Sequence, residues 1–89
     1  MFLNIFSKRR KPGVVYWINI NNINIEAERP TQEIDPEKFE REEGYYLQTG
    51  QFWSNIYLKK DNTLVDGYYS YLIAKKFDLG KIPVIYDEV

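Results

Sequence analysis

Thirteen acidic residues, twelve lysines and arginines, eight tyrosines and no cysteine or histidine define the chemistry open to this 89-residue chain. The two absences exclude a thiolate nucleophile, the Ser-His-Asp and Cys-His arrangements, zinc-finger spacings and histidine-containing metal triads. Carboxylate, Lys, Tyr, Ser and Arg chemistry remains. The carboxylates Glu37, Glu40, Glu42 and Glu43 are the densest candidates for general-acid or cation-binding work, but their spacing scatters them over the outer faces of a helix and reads as a solvated surface. Glu26 and Glu28, on alternate positions of an extended segment, share one side and could hold a cation. Ser70 has no neighbouring base to activate it. No catalytic residue, metal site or cofactor is therefore assigned.

Binding residues are easier to find. Lys8, Arg9, Arg10 and Lys11 form a basic cluster able to contact nucleic-acid phosphate or an anionic surface; the ordinary reading of such a run is a solvated tail. Without those four, the chain keeps eight basic and thirteen acidic residues, a balance of −5. Charge is thus segregated. Tyr68, Tyr69 and Tyr71 could stack on bases. Tyr69 falls on the apolar face of its helix with Leu72 and Phe77 and is expected to pack, whereas Tyr68 and Tyr71 face away. Tyr71 joins the basic cluster as a candidate nucleic-acid contact. Trp17 and Trp53 lie in expected strands and read as core or interface residues.

These residues need elements to hold them. Residues 1–13, ending at Pro12-Gly13, read as a tail, and the folded unit is expected from Val14. Val14 to Ile20 is β-branched and aromatic on both parities and predicts a well-buried strand, with a turn or bulge at Asn21-Asn22. Asp35 can cap a helix that has Pro36 at its first position and runs to about Gln48, with Phe39, Glu43, Tyr46 and Leu47 as its stripe and Gly50 as its stop. Phe52 to Leu58 and Thr63 to Val65 predict a hairpin around a turn at Lys59–Asn62. Asp66 stands as the cap of a second helix over 66–79 ending at Gly80, and Ile82 to Tyr86 closes the chain as a strand that Pro83 assigns to an edge or entry position. A chain this short supports a single core. No apolar run has the length of a membrane span, so a cytoplasmic location is expected.

The order of these elements resembles the N-terminal domain of the ParB/sulfiredoxin family. The residues that carry the resemblance are Leu64-Val65-Asp66-Gly67, Ala74-Lys75-Lys76, Leu79-Gly80 and Ile82-Pro83-Val84-Ile85, with Trp17-Ile18-Asn19-Ile20, Asp35-Pro36-Glu37-Lys38 and Ser54-Asn55-Ile56-Tyr57-Leu58 upstream. It implies an α+β domain with a small mixed sheet of four or five strands and two helices. It also implies a phosphate-holding loop at the start of the second helix, here Asp66, Gly67, Tyr68, Tyr69 and Ser70, where amide N–H groups and the helix dipole favour anions. ParB-like members carry a Gly-Glu-Arg-Arg-type motif there. This chain has Gly67-Tyr68-Tyr69-Ser70, so both arginines of the paired, charge-assisted grip are missing and nucleotide binding is not expected. Sulfiredoxin chemistry requires a cysteine at that loop and is excluded. The family's Pro-Arg stretch has only Glu28-Arg29-Pro30 as a counterpart.

The resulting expectation is a non-catalytic module that binds nucleic acid or a protein partner; an origin in a plasmid, phage or mobile element would suit such a module. A ParB-like nucleotide enzyme or nuclease, and a homo-oligomer built through exposed aromatics and a free sheet edge, are the alternatives.

Overall fold

The computed structural model of the chain describes residues 11, 13–26 and 34–87. Four strands, β1 (Val15–Asn19), β2 (Tyr57–Leu58), β3 (Leu64–Asp66) and β4 (Lys81–Tyr86), form one mixed sheet in the order β1-β4-β2-β3. Helices α1 (Pro36–Thr49) and α2 (Tyr68–Lys76) complete an α+β fold. β4 runs antiparallel to β1 and parallel to β2, while β2 and β3 form the expected hairpin. The segment between β3 and β4 contains α2, as a connection into a parallel pair usually does.

Period-two alternation puts Tyr16, Ile18, Ile82, Val84, Tyr86, Leu58 and Leu64 on the core side of the sheet, where Ile20, Ile23, Ile56 and Ala74 meet them. The opposite parity of β1 is not buried. Val15 is exposed and Trp17 is 65% exposed, in register with Ile85 and Pro83 of β4. The expectation of a well-buried first strand is thereby corrected: β1 is an edge strand with one packed face, and apolar side chains on its other parity meet solvent. Trp53, 68% exposed and edge-on to Tyr45 at 5.0 Å, is likewise outside the core.

The asparagine run does turn the chain. Ile20–Asn22 is a single 3₁₀ turn capped by Asn19, whose Oδ1 accepts the Asn21 amide at 2.8 Å. Asn24 then exchanges backbone hydrogen bonds with the β2–β3 loop, giving N–H to Asn62 O and accepting from Leu64 N. Asn62 Nδ2 donates to Asn22 O, and Tyr86 donates its hydroxyl to Asn62 Oδ1 at 2.6 Å. Asn62 itself takes φ +70°, which asparagine tolerates better than most residues.

Helix α1 follows its sequence signals. Asp35 Oδ1 accepts from the Glu37 and Lys38 amides, Pro36 sits where no N–H is needed, and Gly50 ends the helix at φ +73°. Its buried stripe differs from the expected one at a single position: Leu47 is 64% exposed and Glu42 faces inward instead.

Three boundaries and one placement also differ. Only Tyr57 and Leu58 of the expected 52–58 strand pair in the sheet, because Phe52 is drawn against Tyr46, with rings stacked at 5.5 Å, and Ser54 O is taken by the Ser70 hydroxyl. Asp66 is the last residue of β3 and not a helix cap; Gly67 takes that position, and α2 ends at Lys76, earlier than expected, where Asp78 adopts φ +54° and Leu79 N closes onto Ala74 O. Pro83 lies in β4, which has neighbours on both sides. Its missing N–H costs nothing there, since β2 begins to pair with β4 only at Ile85.

The junction between hairpin and α2 is the tightest point of the fold. Gly67 has φ +89°, and a Cβ built on it would lie 2.4 Å from Asn55 O and 2.8 Å from Ile56 Cα. Gly67→Ala therefore combines a left-handed backbone with a backbone collision, and should cost about 2 kcal/mol or more in urea unfolding. Gly44, inside α1 with nothing within 4 Å of its would-be Cβ, provides the opposite test: Gly44→Ala should stabilise by about 0.5–1 kcal/mol.

Candidate functional site

Between α1 and the start of α2 lies a cleft of about 100 Å³ lined by Lys38, Glu42, Ser54, Asp66, Gly67, Tyr68 and Tyr69. The cap at Asp35 sets the rotation of α1, and the four-residue spacing of Lys38 and Glu42 then brings both to one side of the helix. Gly67 allows the chain to turn from β3 directly into α2, so Asp66 and the first two residues of the helix form the opposite wall. Ser54 enters from the irregular segment before β2.

Glu42 is 4% exposed. Its Oε1 accepts from the Ser54 hydroxyl over a long 3.4 Å, whereas Asp66 Oδ1 accepts from the Gly67 amide at 2.8 Å. Lys38 does not bond to either carboxylate; its Nζ lies over the Tyr69 ring, 5.1 Å from the centroid. Tyr69 also packs on Phe39, and its hydroxyl accepts the Asp35 amide at 2.8 Å, tying α2 to the beginning of α1. Farther along the same helix pair, Lys76 bonds to Glu43 and lies near the rings of Phe39 and Phe77.

Four of the five residues expected at the loop, Asp66, Gly67, Tyr68 and Tyr69, line this cleft. Ser70 does not. It is fully buried, and its Oγ donates to Ser54 O at 2.6 Å, holding α2 to the preceding segment. Tyr69 packs as expected, but on Phe39 of α1, whereas Tyr68 and Tyr71 do not face away: both pack against the core cluster, their rings stacked 6.4 Å apart. The buried stripe of α2 is Ser70, Ile73 and Ala74, so small residues let the helix approach the sheet closely. Lys11 is exposed, with its backbone N–H given to the Tyr16 hydroxyl. Lys8, Arg9, Arg10, Glu28, Arg29 and Pro30 lie outside the described residues, and Glu26 pairs with Lys59 at 3.5 Å. Among the described residues no group of three or more Asp and Glu side chains is placed to hold a metal ion, and no helix is long and apolar enough to cross a membrane.

Lys38, Glu42 and Ser54 were not singled out as a site by sequence reasoning. The signal was present in the Asp35-Pro36 cap, which fixes the helical phase and groups Lys38 with Glu42. The reading of Glu42 as solvated helix surface is corrected: it is 4% exposed, because that side of α1 faces the start of α2.

Comparison with protein-family models and with characterised sequences gives no match. Solved structures do match. A pNOB8-like ParB N-domain superposes with a TM-score of 0.69 at 18% identity, covering 85% of this chain and 28% of that one. A C-terminally truncated ParB from Caulobacter crescentus, complexed with CTP-γ-S, gives 0.65 at 16% identity over 86% of this chain and 46% of its own. Sulfiredoxin from Arabidopsis thaliana gives 0.68 at 16% identity over 85% and 86%. The chain thus spans less than half of either ParB protein and most of the sulfiredoxin. Element order, sheet topology and these three superpositions agree that this chain has the ParB/sulfiredoxin-like fold.

Proposed function

We propose that the chain is a non-catalytic binding module whose ligand enters the cleft between α1 and the start of α2, and that this ligand is not a nucleoside triphosphate. One observation supports this above the others: the cleft presents the carboxylates of Glu42 and Asp66, and its one cation, Lys38, is engaged on an aromatic ring. A triphosphate needs several charge-assisted donors, preferably guanidinium forks, and two carboxylates at close range oppose it. Ser70, the only aliphatic hydroxyl in the loop, is committed to Ser54 O and has no base beside it, which weighs against a nucleophilic enzyme.

Amide NMR tests this reading directly. CTP and ATP at millimolar concentration should leave the signals of Gly67, Tyr68, Tyr69 and Ser70 in place. Saturable shifts confined to those residues would restore the nucleotide-enzyme alternative.

A second reading, nucleic-acid binding through the tail, is favoured by the four consecutive positive charges of Lys8, Arg9, Arg10 and Lys11 ahead of an acidic domain. If it holds, affinity for duplex DNA or RNA should fall with a log–log salt slope of about −3 to −4, near 0.9 per neutralised phosphate. Replacing all four with alanine should abolish binding. Affinity indifferent to both changes removes the tail from the interface.

A further inference from the structure

We infer that the cleft takes a protonated amine or a guanidinium group. The inference rests on the reading above that the cleft is the ligand site, and it adds the class of ligand.

The reason lies in how Glu42 is left. Carboxylates are almost never fully buried unless paired, and an ionised one offers about four lone-pair positions. Glu42 is 4% exposed, and among the described residues its one hydrogen-bond partner is the Ser54 hydroxyl at 3.4 Å. Glu42 lines the cleft and none of its oxygens is both buried and without a partner, so the acceptor capacity not used by Ser54 is open at the cleft wall. The described ion pairs, Lys59 with Glu26 and Lys76 with Glu43, both lie outside the cleft. Asp66 adds a second carboxylate, with Oδ1 given to the Gly67 amide. The tyrosines Tyr68 and Tyr69 complete a lining that combines anionic acceptors with aromatic side chains, the composition that recognises organic cations. Lys38 shows the preference from within: its ammonium already rests over the Tyr69 ring.

The cleft, about 100 Å³, has room for the head of an alkylammonium or guanidinium group. The competing explanation is that Lys38 swings inward as the built-in counter-ion of Glu42. Lysine four residues before glutamate is the weaker order for a helical ion pair, and the two are not paired here.

The cation can arrive as a small molecule or as a Lys or Arg side chain of a protein, and titration separates the two. Methylammonium and methylguanidinium chlorides are added to the full chain at constant ionic strength, with sodium chloride as control, followed by short peptides carrying one central Lys or Arg. The Glu42 side-chain carboxyl and the Ser54 and Gly67 amides should shift saturably with a cation and not with sodium. Glu42→Gln, which keeps the side-chain shape, should weaken binding at least about tenfold, and Asp66→Asn by less. Tighter binding of a peptide than of the matching free cation identifies a side-chain ligand; equal affinities identify a small molecule. Four results would overturn the inference: no saturable response to any organic cation, equal binding by Glu42→Gln, a response to calcium alone, or binding that appears only in Lys38→Met. If CTP shifts the same signals, the reading of the cleft as a non-nucleotide site fails as well. If CTP and the cations are both silent, only the cation assignment falls.

Discussion

The backbone of Asn55 and Ile56 sits so close to Gly67 that no side chain can stand between them, and the rest of the molecule is arranged around that contact. It fixes where α2 begins. The Ser70 hydroxyl then secures the first turn of the helix to Ser54 O, and Ala74 and Ile73, one turn on, reach the core. Because Ser54, Asn55 and Ile56 also lead into β2, one short stretch of chain sets the helix, the hairpin and one wall of the cleft. Buried hydrogen bonds of this kind contribute about 1 kcal/mol each when made, and leaving a partner unsatisfied costs more. The small residues Gly67, Ser70 and Ala74 follow from the closeness of the approach.

Much of this fold is legible in the sequence because several signals are local. Asp35 followed by Pro36, Gly50 after a helical run, and the polar turn Lys59–Asn62 between apolar stretches each specify backbone geometry within a few residues. Boundaries set by distant contacts are not legible in the same way. Nothing near Phe52 indicates that its ring stacks on Tyr46 and takes the chain out of the sheet, and nothing near Asp66 indicates that Asn55 presses on its neighbour. The exposed Trp17 and Trp53 and the inward Glu42 share one cause. Hydropathy describes a side chain, whereas burial depends on which face of an element has a partner. Of the site, the loop from Asp66 to Tyr69 could be found from its position after the hairpin. The Asp35-Pro36 cap groups Lys38 with Glu42 on one side of a helix, but that this side faces the start of α2 depends on the helix–helix geometry.

Likeness of fold and likeness of lining part company at the cleft. The architecture is shared with a ParB solved with CTP-γ-S and with a sulfiredoxin, yet identities of 16–18% leave the side chains free to differ. Here the cleft is lined by two tyrosines, two carboxylates and Lys38, a set of side chains that the shared backbone frame does not dictate. A scaffold held by hydrophobic packing constrains the location of a site more firmly than its chemistry.

The register of β1 against β4 places Val15 directly opposite Ile85. Entry to and exit from the folded unit are therefore neighbours, roughly 5 Å apart across an antiparallel pair. A unit whose two ends meet can be spliced into a surface loop of a larger polypeptide without stretching its host, or attached to companions on either side in any order. Portability of that kind would let a module of this size serve as a part within many different assemblies.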